Sequence, residues 1–549
     1  MQRINSYQEF LELKKILESR LTLMEKTISV CGGAACRALS GPKIAHLLRE
    51  GIEKKGLKGK VEVKLTGCHG FCSSGPSIII YPEEICYLQV KVEDVEEIIE
   101  ETLLSGRIVE RLTYEDPALG RIQKLKEIPF YKKQTRYILE YNSRIDPTSI
   151  EDYIAIGGYS ALAKALFEMS PDGILEEIKK ANLRGRGGGG FPAGQKWETT
   201  KNAKGEIKYV IVNAHEGEPG AYMDRAILEG NPHLVLEGLI IGAYAIGAKE
   251  GFIYLRHDSP SLKRNVEVAL KRAKEYGFVG KNIMGSGFDF DVEIHLDIGI
   301  FVSGESSALM RSIEGRVPEP RPKYIRTSVS GIYERPSNLN NVETWANVPL
   351  IVAKGSEWYS AIGTEKSKGT KLISLSGKIK NAGVIEVPFG ITLREIVYEI
   401  GGGTTNGRAL KAVHLGSAMG GSIPKDLIDL PLDFDTLAEY GAPIGAGGLL
   451  VLDETDDMLE VVLYFLDFLS GESCGKCVPC REGIRQIKNL LNRIREGKGT
   501  KKDIETIKEI CDAQRKASLC ALGRTASYPL ENALKYFWHE FESRLKREG

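Results

Sequence analysis

Residues 182–197 read NLRGRGGGGFPAGQKW. Gly185, Gly187 and Gly190 give the spacing G-x-G-x-x-G, which in a Rossmann fold follows a strand, opens a helix and brings a pyrophosphate to the backbone. The segment before the glycines, PDGILEEIKKANL, has helical rather than strand periodicity. After them comes Phe191–Pro192, and a proline biases the residue before it away from helix. The spacing therefore reads as coincidental for a Rossmann signature. The physics of the loop survives. The run Gly187–Gly190 lets backbone N–H groups approach a phosphate, and Arg184, Arg186 and Lys196 supply charge. No G-K-[ST] follows, which excludes a P-loop; a flexible turn is the plain alternative.

On both sides of the loop, from about 160 to 365, helical stretches alternate with the buried strands YVIVNA, GFIYLR and DVEIHLDIGIF. That alternation implies a mostly parallel sheet with helical crossovers. The 549 residues are too many for one core. Residues 6–25 read as an amphipathic helix carried by Phe10, Leu11, Leu13, Ile16, Leu17 and Leu21. From residue 27 a strand, helix, three strands and a helix form a small α/β unit, followed by a charged connector. From about 369 two strands, a turn, a strand and a helix suggest a ubiquitin-like β-grasp insert, and from 434 the chain reads as mostly helical. The expected boundaries are an N-terminal helix 1–25, the small α/β domain 26–106, a connector 107–160, the larger α/β domain 161–365, the insert 366–433 and a helical domain 434–549.

Lysine plus arginine balances aspartate plus glutamate at 74 each, which argues against a nucleic acid or anionic membrane held by bulk charge. The longest apolar candidate, HLVLEGLIIGAYAIGA, carries Glu237 and falls short of the roughly 18 apolar residues of a membrane span. The N-terminus lacks the apolar stretch of a secretory signal. A cytoplasmic protein without membrane insertion, docked to others, is the expectation.

Ten cysteines fall into two groups, 31, 36, 68, 72 and 86, then 474, 477, 480, 511 and 520; in a reducing compartment such clusters suggest metal rather than disulfides. Cys474, Cys477 and Cys480 form C-x2-C-x2-C, a pitch that wraps one face of a [4Fe–4S] cubane, with Cys520 as the natural fourth ligand. Cys511, beside Ile507 and Ile510, reads as a buried thiol. Cys31 and Cys36, with Cys68 and Cys72, suit a [2Fe–2S] rhomb on two loops. Structural zinc is the rival at both sites. A thioredoxin-like dithiol lacks its C-x2-C. Cys86 reads as core, and His69 as a solvent-facing loop residue, with a hydrogen bond toward the cluster as its alternative.

Taken together, the loop, NAHEGEPGAYMDR (213–225), SGESSAL (303–309), NNVETWANVP (340–349) and CGKCVPC…SLC resemble the flavoprotein subunit of the complex I NADH-dehydrogenase module. The resemblance is strongest to the versions in cytoplasmic bifurcating hydrogenases, formate dehydrogenases and transhydrogenases, which carry an N-terminal thioredoxin-like [2Fe–2S] domain, and it runs from about 27 to 540. It implies a multidomain α/β protein: a thioredoxin-like ferredoxin domain, a Rossmann-like FMN domain, a β-grasp insert and a C-terminal helical bundle with an iron–sulfur cluster. It implies FMN on the loop Gly185, Arg186, Gly187, Gly188 and Gly190, with Arg186 and Lys196 beside flavin and nucleotide. Asn213 and Glu216 would line the flavin, Glu218 the nicotinamide, and Asn340, Asn341 and Thr344 the ribityl–phosphate end, while Phe191 would stack on the dinucleotide. The implied enzyme is an NAD(P)H-dependent, diaphorase-type subunit that passes a hydride between NAD(P)(H) and FMN and single electrons to clusters; no side-chain acid or base is expected in the hydride step. Implied partners are a small thioredoxin-like [2Fe–2S] subunit, a larger catalytic or iron–sulfur subunit, and ferredoxin if the complex bifurcates electrons. The chain lacks the C-terminal two-cluster ferredoxin domain of many relatives, which would put that electron exit on a partner.

Departures from the family pattern gather at the nucleotide site. The family's G-E-E-T-A-L is here Gly304, Glu305, Ser306, Ser307, Ala308, Leu309; Ser306 removes the carboxylate that repels a 2′-phosphate. Arg326 stands where an adenine-stacking Phe is expected, and Thr199 replaces another aromatic. His215 replaces an Asp beside the flavin, Phe301 a Tyr and Ser303 a Cys. Losing a negative charge and gaining an arginine favours NADP(H). The alternative is an electron-wiring scaffold whose nucleotide site has degenerated. Arg256, His257 and Asp258 follow a strand and read equally as nucleotide contacts or a surface turn.

Overall fold

The computed structural model describes residues 3–21, 24–297, 299–322 and 324–546. The N-terminal helix, Tyr7–Leu21, buries Phe10 and Leu17 but leaves Leu11 and Ile16 exposed. Its apolar face is thus narrower than the sequence suggests; residues 22 and 23, within the expected helix, lie outside the described residues. Phe10 meets Phe278 edge-on and Tyr7 stacks on Phe167, so this helix packs on the larger α/β unit.

The small α/β unit holds β1 (Lys26–Cys31), β2 (Val61–Thr66), β3 (Ile78–Tyr81) and β4 (Ile85–Tyr87) in the order β2-β1-β3-β4. Strands β1 and β2 are parallel, as the intervening helix Gly41–Lys54 requires, and β3 and β4 follow antiparallel. Cys31 ends β1 and Cys36 lies in the short helix Ala34–Ala38 that follows, Cys68 and Cys72 lie beyond β2, and Cys86 is buried within β4. The connector carries a short ribbon, β5 (Tyr114–Asp116) and β6 (Gly120–Ile122), and the helices Pro129–Lys132 and Ile150–Ala155.

The larger unit is a four-stranded parallel sheet of β7 (Tyr209–Ala214), β8 (Glu250–Leu255), β9 (Asp291–Leu296) and β10 (Ser337–Asn341), ordered β10-β7-β8-β9. Parallel strands are buried on both faces, hence their apolar runs. The long apolar stretch is the core helix Pro232–Ile246, apolar nearly all round because it is covered all round. Its Glu237 is satisfied by the Tyr159 and Leu162 N–H groups and the Tyr153 hydroxyl. Among the described residues no helix is long and apolar enough to cross a membrane.

The insert is a five-stranded sheet of β11 (Thr370–Gly377), β12 (Gly383–Pro388), β13 (Leu410–Leu415), β14 (Gly421–Pro424) and β15 (Gly448–Asp453), ordered β12-β11-β15-β13-β14. Two expectations change here. Two strands, not three, precede the helical turn Glu395–Ile400, and the central strand β15 lies beyond residue 433, in sequence that reads as helical. A six-residue apolar run cannot be assigned by periodicity alone; the partner strands on either side of β15 decide it. The helices Met458–Glu472, Val478–Arg495 and Lys501–Ala517 complete the chain, with shorter helices after them.

The small unit is fastened to the insert through the loop between Cys68 and Cys72. Val384 N–H donates to Gly70 C=O (2.8 Å) and Ser73 N–H to Ala382 C=O (3.0 Å). A Cβ on Gly383 would stand 1.9 Å from the Gly70 carbonyl oxygen. Gly383→Ala must therefore push this loop away. We expect a loss of about 1–3 kcal/mol, read as a lower calorimetric Tm of the full chain, together with weaker retention of any group on Cys68 and Cys72.

Candidate functional site

The glycine loop joins the helices Pro171–Lys180 and Ala193–Asn202. It does open a helix, contrary to the reading of Phe191–Pro192: Pro192 sits at the cap position, where its missing N–H costs nothing. Gly185 N–H donates to Phe191 C=O (2.9 Å) and closes the loop. Gly188 and Gly190 have φ of +103° and +56°. A Cβ on Gly187 would come within 3.0 Å of Asn341, and one on Gly189 would meet nothing within 4 Å. One side of the loop is thus packed against the end of β10 and the other is open. The ring of Phe191 is 48% exposed.

The loop's arginines, read as charge for a bound phosphate and in Arg186's case as lying beside flavin and nucleotide, turn into the protein instead. The Arg186 guanidinium is fully buried, donating to Tyr359 Oη (2.8 Å), Lys368 C=O (2.6 Å) and Arg184 C=O (3.0 Å). It also lies 3.9 Å from the Glu343 carboxylate and over the Phe389 ring. Arg184 forms a two-pronged pair with Asp435 and holds Gly190 C=O. Both charges are spent on anchoring. Lys196 remains: its Nζ donates to Leu339 C=O (2.8 Å) and Asn340 Oδ1 (3.2 Å), and burial lowers it to about 8.

Opposite the loop, the ends of β7 and β10 bring polar groups together. Asn213 Nδ2 donates to Gly304 C=O (2.9 Å). The Glu216 carboxylate accepts the N–H groups of Asp224 and Arg225, both at 3.0 Å, and so caps the helix Met223–Gly230. Asn341 Nδ2 donates to Asp224, and Thr344 Oγ1 accepts Arg186 N–H (2.9 Å). Burial raises Glu216, Asp224 and Glu218; Glu218 is pushed up to about 7 by burial and by Glu216, against the pull of Lys371. Glu218 Oε2 and Asn340 Nδ2 are buried without a partner. A packed glycine cradle, a half-buried lysine and orphaned polar atoms fit a phosphate-bearing polar cofactor such as FMN. Sequence reasoning missed Asp224 and Lys371, whose roles come from tertiary placement alone.

At the far edge, Glu305 accepts the N–H groups of Ser307 (2.9 Å) and Ala308 (3.1 Å), capping the helix Ser306–Ile313. Ser306 Oγ donates to the same carboxylate (3.2 Å). Arg326 is exposed and makes no ion pair among the described residues. Phe301 is half-buried, its ring near His215 and Phe468.

The thiols gather as the spacing suggests. Cys474, Cys477, Cys480 and Cys520 line one small pocket with Val302 and Pro320. Burial and the neighbouring thiols push Cys480 up to about 12. Cys511 is buried in its helix outside that pocket. Cys31, Cys36, Cys68 and Cys72 line a second cavity, closed on its far side by Tyr222, Arg225 and Glu229. Thiol hydrogen bonds from Cys36 and Cys68 hold Cys31 well below its ordinary range. Thiols arranged round a cavity suit a cluster, whose several irons share them. His69 is corrected: it is buried, its ring bonds Ser29, Thr66 and Ser77, and its N–H points at Cys31 Sγ (3.5 Å). A loop histidine turns inward when polar partners satisfy both ring nitrogens.

Three family models match the chain: the Nuo51 FMN-binding domain over residues 178–350, the SLBB domain over 372–423 and the NADH-ubiquinone oxidoreductase-F iron–sulfur binding region over 460–544. The chain is 46% identical over 414 residues to NADP-reducing hydrogenase subunit HndC of Solidesulfovibrio fructosivorans, covering 75% of this chain and 84% of that one. It is 43% identical over 397 residues to the NADH-quinone oxidoreductase F-subunit 2 of Rhizobium meliloti (72% and 94% covered). It is 40% identical over 403 residues to the NADH-quinone oxidoreductase F-subunit of Escherichia coli (73% and 91%). Among solved structures, an NAD+-reducing [NiFe]-hydrogenase in the H2-reduced state superposes with a TM-score of 0.67 at 25% identity, covering 99% of this chain and 91% of that one.

Two outcomes test the site. Cys520→Ser should lose the C-terminal cluster's iron and its EPR signal, whereas Cys511→Ser should keep both. Glu218 is protonated below pH about 7 and charged above it; ligand affinity measured across that range should show this ionisation, and Glu218→Gln should remove it.

Proposed function

The chain belongs to the family of NADH-quinone oxidoreductase F-subunits, and we propose that its glycine loop and carboxylate cluster hold FMN between a nicotinamide nucleotide and two iron–sulfur clusters. The protein is an NAD(P)H-dependent flavin/iron–sulfur oxidoreductase subunit, with FMN and a [4Fe–4S] cluster, that works alongside partner subunits. Bound FMN supplies the conversion between a two-electron hydride and single electrons. The residues supply position. Gly185, Gly187, Gly188 and Gly190 with Lys196, Asn340, Asn341 and Thr344 orient the phosphate end, and Asn213, His215, Glu216 and Glu218 the ring. Phe191, Phe301, Glu305, Ser306 and Arg326 frame the nucleotide. Arg186 acts through its anchoring of the loop.

One observation carries this reading. The segments that line the flavin region also line both thiol sites. Val302, next to Phe301, borders the pocket of Cys474, Cys477, Cys480 and Cys520; Tyr222, in the turn capped by Glu216, borders that of Cys31, Cys36, Cys68 and Cys72. Electrons therefore have an acceptor on either side. We assign a [2Fe–2S] cluster to the N-terminal site. Residues 26–106 then form a thioredoxin-like domain, residues 366–453 with β15 a β-grasp domain, and the rest of the C-terminal region the cluster-bearing helical bundle. The partners we propose are a small thioredoxin-like [2Fe–2S] subunit and a larger catalytic or iron–sulfur subunit, in the cytoplasm. Two acceptors flanking one flavin also suit electron bifurcation with ferredoxin.

The nucleotide preference we propose is NADP(H). Ser306 adds no second carboxylate to Glu305, and Arg326 is free to meet a 2′-phosphate. Two charges at 4 Å interact by about 4 kcal/mol at an effective dielectric near 20, but solvent around an exposed arginine reduces this. We expect anaerobic flavin bleaching at lower NADPH than NADH. Ser306→Glu and Arg326→Phe should each shift the ratio toward NADH about tenfold, equivalent to about 1.4 kcal/mol. NADH as the better reductant of the unaltered protein overturns the preference, and bleaching by neither nucleotide favours the electron-wiring scaffold.

A further inference from the structure

Oxidation of NAD(P)H to NAD(P)+ breaks one C–H bond and yields two electrons and one proton. The electrons leave through clusters that take no proton, so the proton must find a base in the pocket. His215 stands there, at the end of β7, wedged between Gly217, Gly304 and Phe301. Its side chain is 1% exposed, and its Nε2 lies 2.9 Å from Asp297 Oδ2. Neither ring nitrogen has an in-line hydrogen bond, and Nδ1 faces the Gly304 backbone beside the Asn213 side chain. It is a buried, unpartnered nitrogen in the region assigned to flavin and nucleotide.

Behind His215, Asp297 is fixed by a second histidine. Its Oδ1 accepts His257 N–H (3.0 Å) and contacts His257 Nδ1 (2.7 Å), which leaves Oδ2 for His215. Burial opposes charge on Asp297, but the close His215 ring and the hydrogen bonds from His257 outweigh it and hold the carboxyl well below its usual range. The carboxylate is therefore charged throughout the physiological range, as the counter-ion of an imidazolium must be. The other charges facing the group offset one another in part: Arg256 pairs with Asp258, and Glu472 lies near Arg256 and accepts Phe301 N–H. Tyr254 separates His215 from His295. His257 is half exposed and reaches solvent.

We propose that His215 is the proton acceptor of the reaction, with Asp297 and His257 as its positioning residues. Asp297 holds the proton of His215 on Nε2, which leaves Nδ1 as the basic lone pair. The hydride carries the proton and both electrons from the nicotinamide C–H bond to bound FMN; once the clusters had taken both electrons, the flavin N–H bond holding that proton would break as an N–H bond formed at Nδ1, Asp297 would stabilise the imidazolium, and the imidazolium would then lose the proton to water. This rests on the FMN reading above and concerns the proton after hydride transfer, not the hydride step.

The test uses the full holoprotein. Electrochemically reduced protein pulsed with ferricyanide needs no nucleotide; time-resolved infrared difference spectra should show a transient imidazole-to-imidazolium band during re-oxidation that His215→Ala and Asp297→Asn abolish. After rapid mixing with NADH or NADPH, cluster reduction followed by freeze-quench EPR should trail flavin bleaching at least tenfold further in both variants. Added imidazole should rescue His215→Ala and not Asp297→Asn. A band that persists in His215→Ala, or clusters that keep pace with bleaching in both variants, overturns the proposal. An unaltered protein that shows the band but is bleached by neither nucleotide overturns the nucleotide reading and leaves the proton acceptor standing.

Discussion

The buried Glu343 carboxylate holds three parts of the molecule in one geometry. It lies on the helix that follows β10, pairs with Lys371 of the insert, accepts Leu372 N–H (2.9 Å) and stands 3.9 Å from the Arg186 guanidinium of the glycine loop. Two cations and one anion, all withdrawn from water, are tolerated only when other groups take up their remaining hydrogen bonds; Tyr359, Lys368 and Arg184 do so for Arg186. Four consecutive glycines would otherwise leave the loop with high conformational entropy. Anchored at Arg186 and Arg184, the loop can present Gly189 and its neighbours with little further ordering. The insert, which contributes none of the candidate cofactor-binding residues, therefore has a part in the site through Lys371.

The same fastening recurs at the N-terminal thiols. Their cavity is closed by residues of the helix Met223–Gly230, whose first turn is capped by Glu216. The loop carrying Cys72 is hydrogen-bonded to the start of β12. Thiols on a domain that merely hung from a linker would sample many distances from the flavin region. Here the small unit is held by both its neighbours, which fixes its thiols relative to the glycine loop.

Chemistry that depends on spacing along the chain was legible in the sequence. The cysteine pitches, the glycine run and the asparagine pair at 340–341 are local patterns, and their backbone needs are local too. What depends on direction was not. Arg186 sits in the loop, yet its side chain turns inward because the carboxylate that attracts it comes from residue 343. His69 lies between cysteines yet points into a polar nest built from β1, β2 and the start of β3. Strand β15 has the composition of a short helix segment and becomes a strand because β11 and β13 offer it two edges. The helix after Pro192 was hidden by a rule that restricts the residue before a proline and says little about the residues after it.

The substitutions at the nucleotide edge make sense together as a problem of charge. Asp224 is buried and Glu216 and Glu218 are half-buried near it, and each is driven toward its neutral form. Glu216 is relieved by two N–H groups and Asp224 by Asn341, whereas one oxygen of Glu218 has no partner. A further carboxylate at 306 and another at 215 would add negative potential to a pocket that has little positive charge of its own, since Arg184 and Arg186 are committed elsewhere and Lys196 is itself lowered by burial. Serine and histidine at those positions relieve it, and histidine does more than remove a charge. Neutral, it leaves the field unchanged; protonated, it adds a positive charge beside the carboxylates, with Asp297 as counter-ion. A pocket that must hold an anionic cofactor and then release a proton is better served by a group of variable charge at 215 than by a fixed carboxylate.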